Sequence, residues 1–103
     1  MKMTIGKTIL EQLGGNKFVA MTGAKHFVGF GNGVQFAIGR NISRSNCIVI
    51  TQNGKDLYDV AFWRFTPKTG MAMLSIYKDV GVEDLRGTFT AYTGMYCTLG
   101  TVN

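Results

Sequence analysis

The sequence predicts an α+β domain: an antiparallel sheet of about five or six strands, with an N-terminal and a C-terminal helix packed on it. Three observations lead there. Between Cys47 and Tyr77 run three stretches rich in β-branched and aromatic residues: Cys47 to Thr51, Leu57 to Phe65 and Met71 to Tyr77. Gln52-Asn53-Gly54-Lys55 and Thr66-Pro67-Lys68-Thr69-Gly70 separate them, which is the turn chemistry of an antiparallel meander. Near each end of the chain, apolar residues recur at helical spacing instead. Finally, 103 residues that are 46% hydrophobic and 17% charged can bury one core without disulfides or metal, and are too apolar to stay disordered. Residues 1–103 therefore read as a single domain.

The first helix is expected over Thr4 to Leu13. Ile5, Ile9 and Leu13 form its stripe with Leu10 widening it, Thr4 caps the start, and Gly14-Gly15 stops it. Lys17 to Met21 reads as a strand, with Thr22-Gly23 as a turn or bulge. Phe27 to Phe30 and Val34 to Ile38 form a hairpin across Gly31-Asn32-Gly33; Val34, Phe36 and Ile38 alternate with Gln35 and Ala37. The glycines around Phe30 lack both the Gly-Lys-Ser/Thr ending of a P-loop and the helix of a dinucleotide fingerprint, so they are read as turn residues.

Register decides which side chains of the meander share a face. A two-residue Asn53-Gly54 turn would set Ile48 opposite Asp59, a carboxylate among aliphatics. A loop one residue longer, with Gly54 left-handed, pairs Ile50 with Tyr58 and Ile48 with Val60. A five-residue loop after Phe65 then pairs Phe62 with Leu74 and Val60 with Ile76. The expected core face is Ile48, Ile50, Tyr58, Val60, Phe62, Leu74 and Ile76. The opposite face carries Val49, Asp59, Ala61 and Ser75, and toward the Pro67 turn it becomes Trp63, Phe65, Met71 and Met73. That patch has two readings: covered by a helix or more sheet, or open as a contact for a partner or a second copy.

After the meander, acids at Glu83 and Asp84 open a second helix, as the helix dipole favours. Val82, Leu85, Phe89 and Tyr92 place it over Val82 to Thr93; Gly87 weakens it by about 1 kcal/mol and Gly94 ends it. Met95 to Gly100 reads as a short last strand and residues 101–103 as a frayed tail.

Chemistry is sparse. His26 is the lone histidine and there is no C-x-x-C, so the usual zinc ligands cannot be assembled. Cys47 and Cys97 read as reduced, packed thiols; a disulfide would need their strands to be neighbours. Asp56 and Asp59 fall on different faces, and no carboxylate pair or nucleophile motif emerges, so no enzyme and no cofactor is expected. No apolar run approaches the ~20 residues of a membrane span. Met1 to Gly6 lacks the apolar core of a signal peptide, which makes the cytoplasm the expected location.

Charge is more telling. The net +5 is uneven: Gln12 through Lys55 holds no acid but carries Lys17, Lys25, Arg40, Arg44 and Lys55, while residues 56–103 hold five of the six acids against four basic residues. Such asymmetry suits an anionic partner, either nucleic acid or an acidic protein surface. Arg40-Asn41-Ile42-Ser43-Arg44-Ser45-Asn46 combines arginines with Ser and Asn, the residue types that contact phosphates, although an ordinary solvated loop has the same composition.

Asn16-Lys17-Phe18-Val19-Ala20-Met21-Thr22-Gly23-Ala24-Lys25-His26-Phe27, Asp56-Leu57-Tyr58-Asp59-Val60 and the Leu85 to Tyr96 ending, with its Thr93-Gly94-Met95-Tyr96, resemble small proteins of bacteriophages and integrated mobile elements, in the same order over residues 9–100. That group has no assigned activity, so the resemblance implies a setting rather than a site: bacterial cytoplasm, and a partner in phage or host machinery. Two function classes follow. One is nucleic-acid binding by Lys17, Lys25, Arg40, Arg44 and Lys55, with Phe27, Phe30 and Trp63 available to stack on bases. The other is a protein-binding accessory factor, such as an inhibitor of a host defence protein, or a strand-mediated homodimer. It would be anchored by Trp63, Phe65, Met71 and Met73. The charge asymmetry, being written in the sequence itself, favours the first.

Overall fold

The computed structural model describes residues 4–97. In chain order it has α1 (Thr4–Leu13), α2 (Asn16–Thr22), β1 (Lys25–Phe30), β2 (Gly33–Ala37), β3 (Cys47–Gln52), β4 (Tyr58–Thr66), β5 (Gly70–Val80), a 3-10 turn (Val82–Asp84) and α3 (Leu85–Thr93). The strands form one antiparallel sheet in sequence order, β1-β2-β3-β4-β5. The α+β class and the N- and C-terminal helices are as the sequence predicts. No helix among the described residues is long and apolar enough to cross a membrane.

All three helices pack on one side of the sheet. Ile9 and Leu13 of α1, Phe18 of α2, and Leu85 and Phe89 of α3 meet Phe36, Ile48, Ile50 and Phe62 from the strands, all essentially inaccessible to solvent. Aromatic rings join the layers edge to face: Phe18 lies 5.6 Å from Phe36 and 5.1 Å from Phe89, centroid to centroid. Tyr58 closes the seam by donating its hydroxyl to Gln12 Oε1 at 2.7 Å.

The segment expected as a strand at Lys17–Met21 is instead the helix α2. Seven residues are too few for a helix to stand alone, so tertiary contact decides. Phe18 and Thr22, one turn apart, are both buried, and the Thr22 hydroxyl donates to Phe18 O at 2.7 Å. Gly23 ends it at φ 69°, a left-handed cap that favours glycine. The expected last strand is also absent where it can be checked: residues 95–97 are irregular, and 98–100 lie outside the described residues, as do the tail and the Thr4 side chain expected to cap α1. The stripe of the C-terminal helix loses Val82, which sits half exposed in the 3-10 turn before α3.

The meander register differs from expectation in two instructive ways. Between β3 and β4, Ile50 faces Val60 and Ile48 faces Phe62, two residues further along than expected. The turn is longer because Asn53 caps it, its Oδ1 accepting from Lys55 N (2.8 Å) and Leu57 N (3.3 Å); Asp56, not Gly54, takes the left-handed position at φ 62°. An even slip preserves the faces, so Ile48, Ile50, Val60 and Phe62 remain together in the core. Between β4 and β5 the expected pairing holds near the turn, with Phe65 opposite Met71 and Trp63 opposite Met73. Then Leu74 bulges, and Phe62 meets Ser75 while Ala61 meets Ile76. An odd slip reverses faces. Leu74 and Ile76, expected in the core, are 41% and 40% exposed, and Ser75 moves to the helix side with Phe62.

Candidate nucleic-acid interface

Antiparallel order sorts the loops onto two ends of the sheet. The β2–β3 loop, the β4–β5 turn and the start of β1 share one end; the β1–β2 turn, the β3–β4 turn and the end of β5 share the other. Lys25, Arg40, Arg44, Arg64 and Lys68 therefore gather at the first end. Asp56, Asp59 and Asp79 lie at the second, with Glu83 and Asp84 following β5, and outnumber the Lys55 and Lys78 found there. The asymmetry along the chain becomes a polarity along the strands.

At the cationic end a cleft of about 490 Å³ is lined by Arg40, Arg44 and Arg64 together with Asn41, Ser45 and Asn46, with no acid among its walls. Its loop is held by side-chain bonds to its own backbone. Asn41 Nδ2 donates to Gly39 O (2.9 Å) and Ser45 O (2.7 Å), while Asn41 Oδ1 accepts from Ser43 N (3.0 Å). The Ser43 and Ser45 hydroxyls bond each other at 2.6 Å. Arg44 sits at φ 68°, a left-handed conformation that costs a non-glycine residue about 1–2 kcal/mol. Two contacts hold it there: Arg44 N donates to Asn41 O at 3.2 Å, and the Arg64 guanidinium donates to Arg44 O at 2.8 Å. Of the three arginines in this polar cleft, Arg64 is held by a backbone acceptor, Arg44 O, rather than by a carboxylate. All three arginine side chains remain exposed.

The helix-free face of the sheet adjoins this cleft. Phe65 (50% exposed), Met71 (44%) and Met73 (46%) stand uncovered on it, and among the described residues no helix lies over them. Three of the four residues of the Trp63–Met73 patch are thus uncovered, while Trp63 is half-buried. A groove of about 390 Å³ runs between Cys47, Phe65 and Met71 on one side and Gln35 and Ala37 on the other. Its walls include Ile38 and Asn46, which also line the arginine cleft, so the two hollows are neighbours that share these residues. Asn46 fixes the junction by clamping the end of β4, accepting from Phe65 N (2.7 Å) and donating to Phe65 O (2.9 Å). Trp63 pairs with Met73 across the strands, and its indole Nε1 is buried without a hydrogen-bond partner.

Of the basic residues singled out from sequence, Arg40 and Arg44 line the cleft and Lys25 shares its end of the sheet. Lys17 is exposed on the first turn of α2 and is no part of the cleft. Lys55 sits at the opposite end, 3.3 Å from Asp79. Arg64 was missed, though a signal exists: it interrupts the aromatic run between Trp63 and Phe65, at a position whose alternation points it to the helix side, where β4 extends beyond the core. His26 is a surface residue at the β1 bulge with φ 59°.

Cys47 faces Trp63 on the open side and Cys97 belongs to the helix-side core, so the sheet lies between them and both are free. Burial raises the pKa of each thiol; for Cys97 a hydrogen bond with Thr90 and the Arg86 charge oppose it. No cluster of three His, Cys, Asp or Glu suitable for a metal occurs among the described residues. Compared with known proteins, the chain matches no family model, no curated protein and no solved structure.

Proposed function

We propose that the protein is a non-enzymatic, single-stranded nucleic-acid-binding accessory protein, working in the phage or mobile-element setting that its sequence resembles. One observation carries this: the acid-free arginine cleft and an apolar groove walled by Phe65 and Met71 lie at the same end of the sheet and share Ile38 and Asn46 as lining. Phosphates need fixed positive donors, and unpaired bases need an apolar surface to stack on; single strands expose both at once. Arg40, Arg44 and Arg64 take the backbone, with Lys25 and Lys68 extending the positive surface, and Phe65 with Met71 takes a base. A duplex hides its bases and would use only the arginines.

The test is fluorescence anisotropy with labelled single- and double-stranded oligonucleotides across a salt series. Single strands should bind more tightly, and Arg40→Ala/Arg44→Ala/Arg64→Ala should flatten the log–log salt slope by about 2, since each single-strand phosphate contact contributes about 0.7. Phe65→Ala should weaken single-strand binding with the slope unchanged. Absence of binding even near ~50 mM salt would sink the reading. The exposed patch favours a second reading, an accessory or anti-defence protein docking a host or phage protein on the Trp63, Phe65, Met71, Met73 surface. In that case Phe65→Ala would abolish partner binding while the arginine variants would not.

A further inference from the structure

β5 is the longest strand and forms one edge of the sheet. Its 11 residues, at about 3.3 Å each, run the whole length of a molecule whose longest extent is 35 Å. A long edge presents a row of backbone donors and acceptors ready to pair with another strand, and proteins usually blunt such edges with charge, proline or brevity. From Gly70 to Tyr77, β5 has no charge and no proline, and Met71, Met73, Leu74, Ile76 and Tyr77 are each 40–46% exposed. The other edge is protected: β1 has only six residues and is broken by the bulge at His26.

The distribution of charge selects the occupant of this edge. β5 starts beside Lys68, at the cationic end, and ends Lys78-Asp79-Val80, with Glu83 and Asp84 just beyond, so acids outnumber the one lysine there. A second copy laid antiparallel along β5 sets the cationic end of each molecule beside the acidic end of the other; a parallel arrangement would oppose like charges. The Leu74 bulge supplies side-chain complementarity. It places Met73 and Ile76 on the same open face, opposite Trp63 and Ala61. A two-fold axis between Leu74 and Ser75 then sets Met73 of one copy against Ile76 of the other, twice, and brings Lys68 of each copy toward Asp79 of the other. A stable interface takes about 800 Å² from each partner, roughly an eighth of the 6118 Å² this chain exposes.

We propose that two copies pair antiparallel through β5 to form a continuous ten-stranded sheet. The arginine cleft, built from the β2–β3 loop and β4, stays open in it. The pairing stands or falls without nucleic acid, and sedimentation equilibrium of the full chain from micromolar to submillimolar concentration tests it. The chain should dimerise, and the dimer should loosen as salt rises. Met73→Lys/Ile76→Lys should weaken association by at least about tenfold with an unchanged circular-dichroism spectrum. Lys68→Glu, in an exposed turn, should weaken it and remove its salt dependence. A monomer at every concentration overturns the proposal, and so does a double-lysine variant that dimerises like the parent.

Discussion

Phe62 and Phe65 lie three residues apart on β4, on opposite sides of the sheet. Phe62 is fully buried, its ring 4.2 Å from Tyr92 and 6.4 Å from Phe89, while Phe65 is half exposed beside the arginine cleft. The strands thus carry apolar side chains to both faces, and three helices cover only one. On the covered face these side chains hold the fold together. On the other they are surplus to folding, which is where a binding surface can be maintained without loss of stability.

The sharpest way to break this comparison is to truncate both rings. Phe62→Ala should cost about 3–5 kcal/mol in urea denaturation, and Phe65→Ala less than about 1 kcal/mol. Equal losses would mean that the open face is covered after all. A comparable contrast sits in the β1–β2 hairpin. A Cβ on Gly33 would lie 2.2 Å from Ile50 O, within a paired strand, whereas one on Gly31 meets nothing within 4 Å. Gly33→Ala should therefore cost about 3 kcal/mol, and Gly31→Ala under about 1 kcal/mol, by the same measurement.

The two thiols, one on each side of the sheet, give a smaller effect. Each has its pKa raised above the ordinary 9.0 by burial, so the folded chain keeps these protons to higher pH than the unfolded chain does. That contribution is complete below pH 9 and is lost as pH climbs through the folded values. Thermal melts should show stability falling above that point, and less steeply in Cys97→Ser than in the parent. Thiol reagents should label neither cysteine readily at neutral pH. Smallest of all is the exposed Lys55–Asp79 pair at the acidic end: Lys55→Ala should change stability by a few tenths of a kcal/mol, about the worth of surface ion pairs. It should also leave nucleic-acid affinity within about twofold, whereas alanine at Arg44 should reduce it by about tenfold or more.

Much of the architecture was legible because it follows from local chemistry. Period-two alternation marked β2, the turn residues delimited β3 to β5, and Gly94 ended α3 in a left-handed cap at φ 77°. α2 is ambiguous in sequence because Phe18-Val19-Ala20-Met21 is a short apolar run that suits a strand or a buried helix equally well. In sequence Leu74 and Ile76 read as core residues because a bulge leaves no mark in the alternation it interrupts. The candidate site was half legible. The acid-free stretch pointed to Arg40 and Arg44, but Arg64 comes from a strand twenty residues later and enters only through its bond to Arg44 O. Lys55 falls out for the opposite reason, since neighbours in sequence can stand at opposite ends of a strand.

By itself the sequence determined the α+β class, most of the elements and the net positive charge. All of these are set by residue type and by spacing over a few neighbours. Tertiary structure alone decided which apolar face the helices cover, where a bulge reverses a strand, and which arginines share a cleft. Those outcomes depend on contacts between residues far apart in the chain, and one residue of slip in a strand is enough to exchange core for surface.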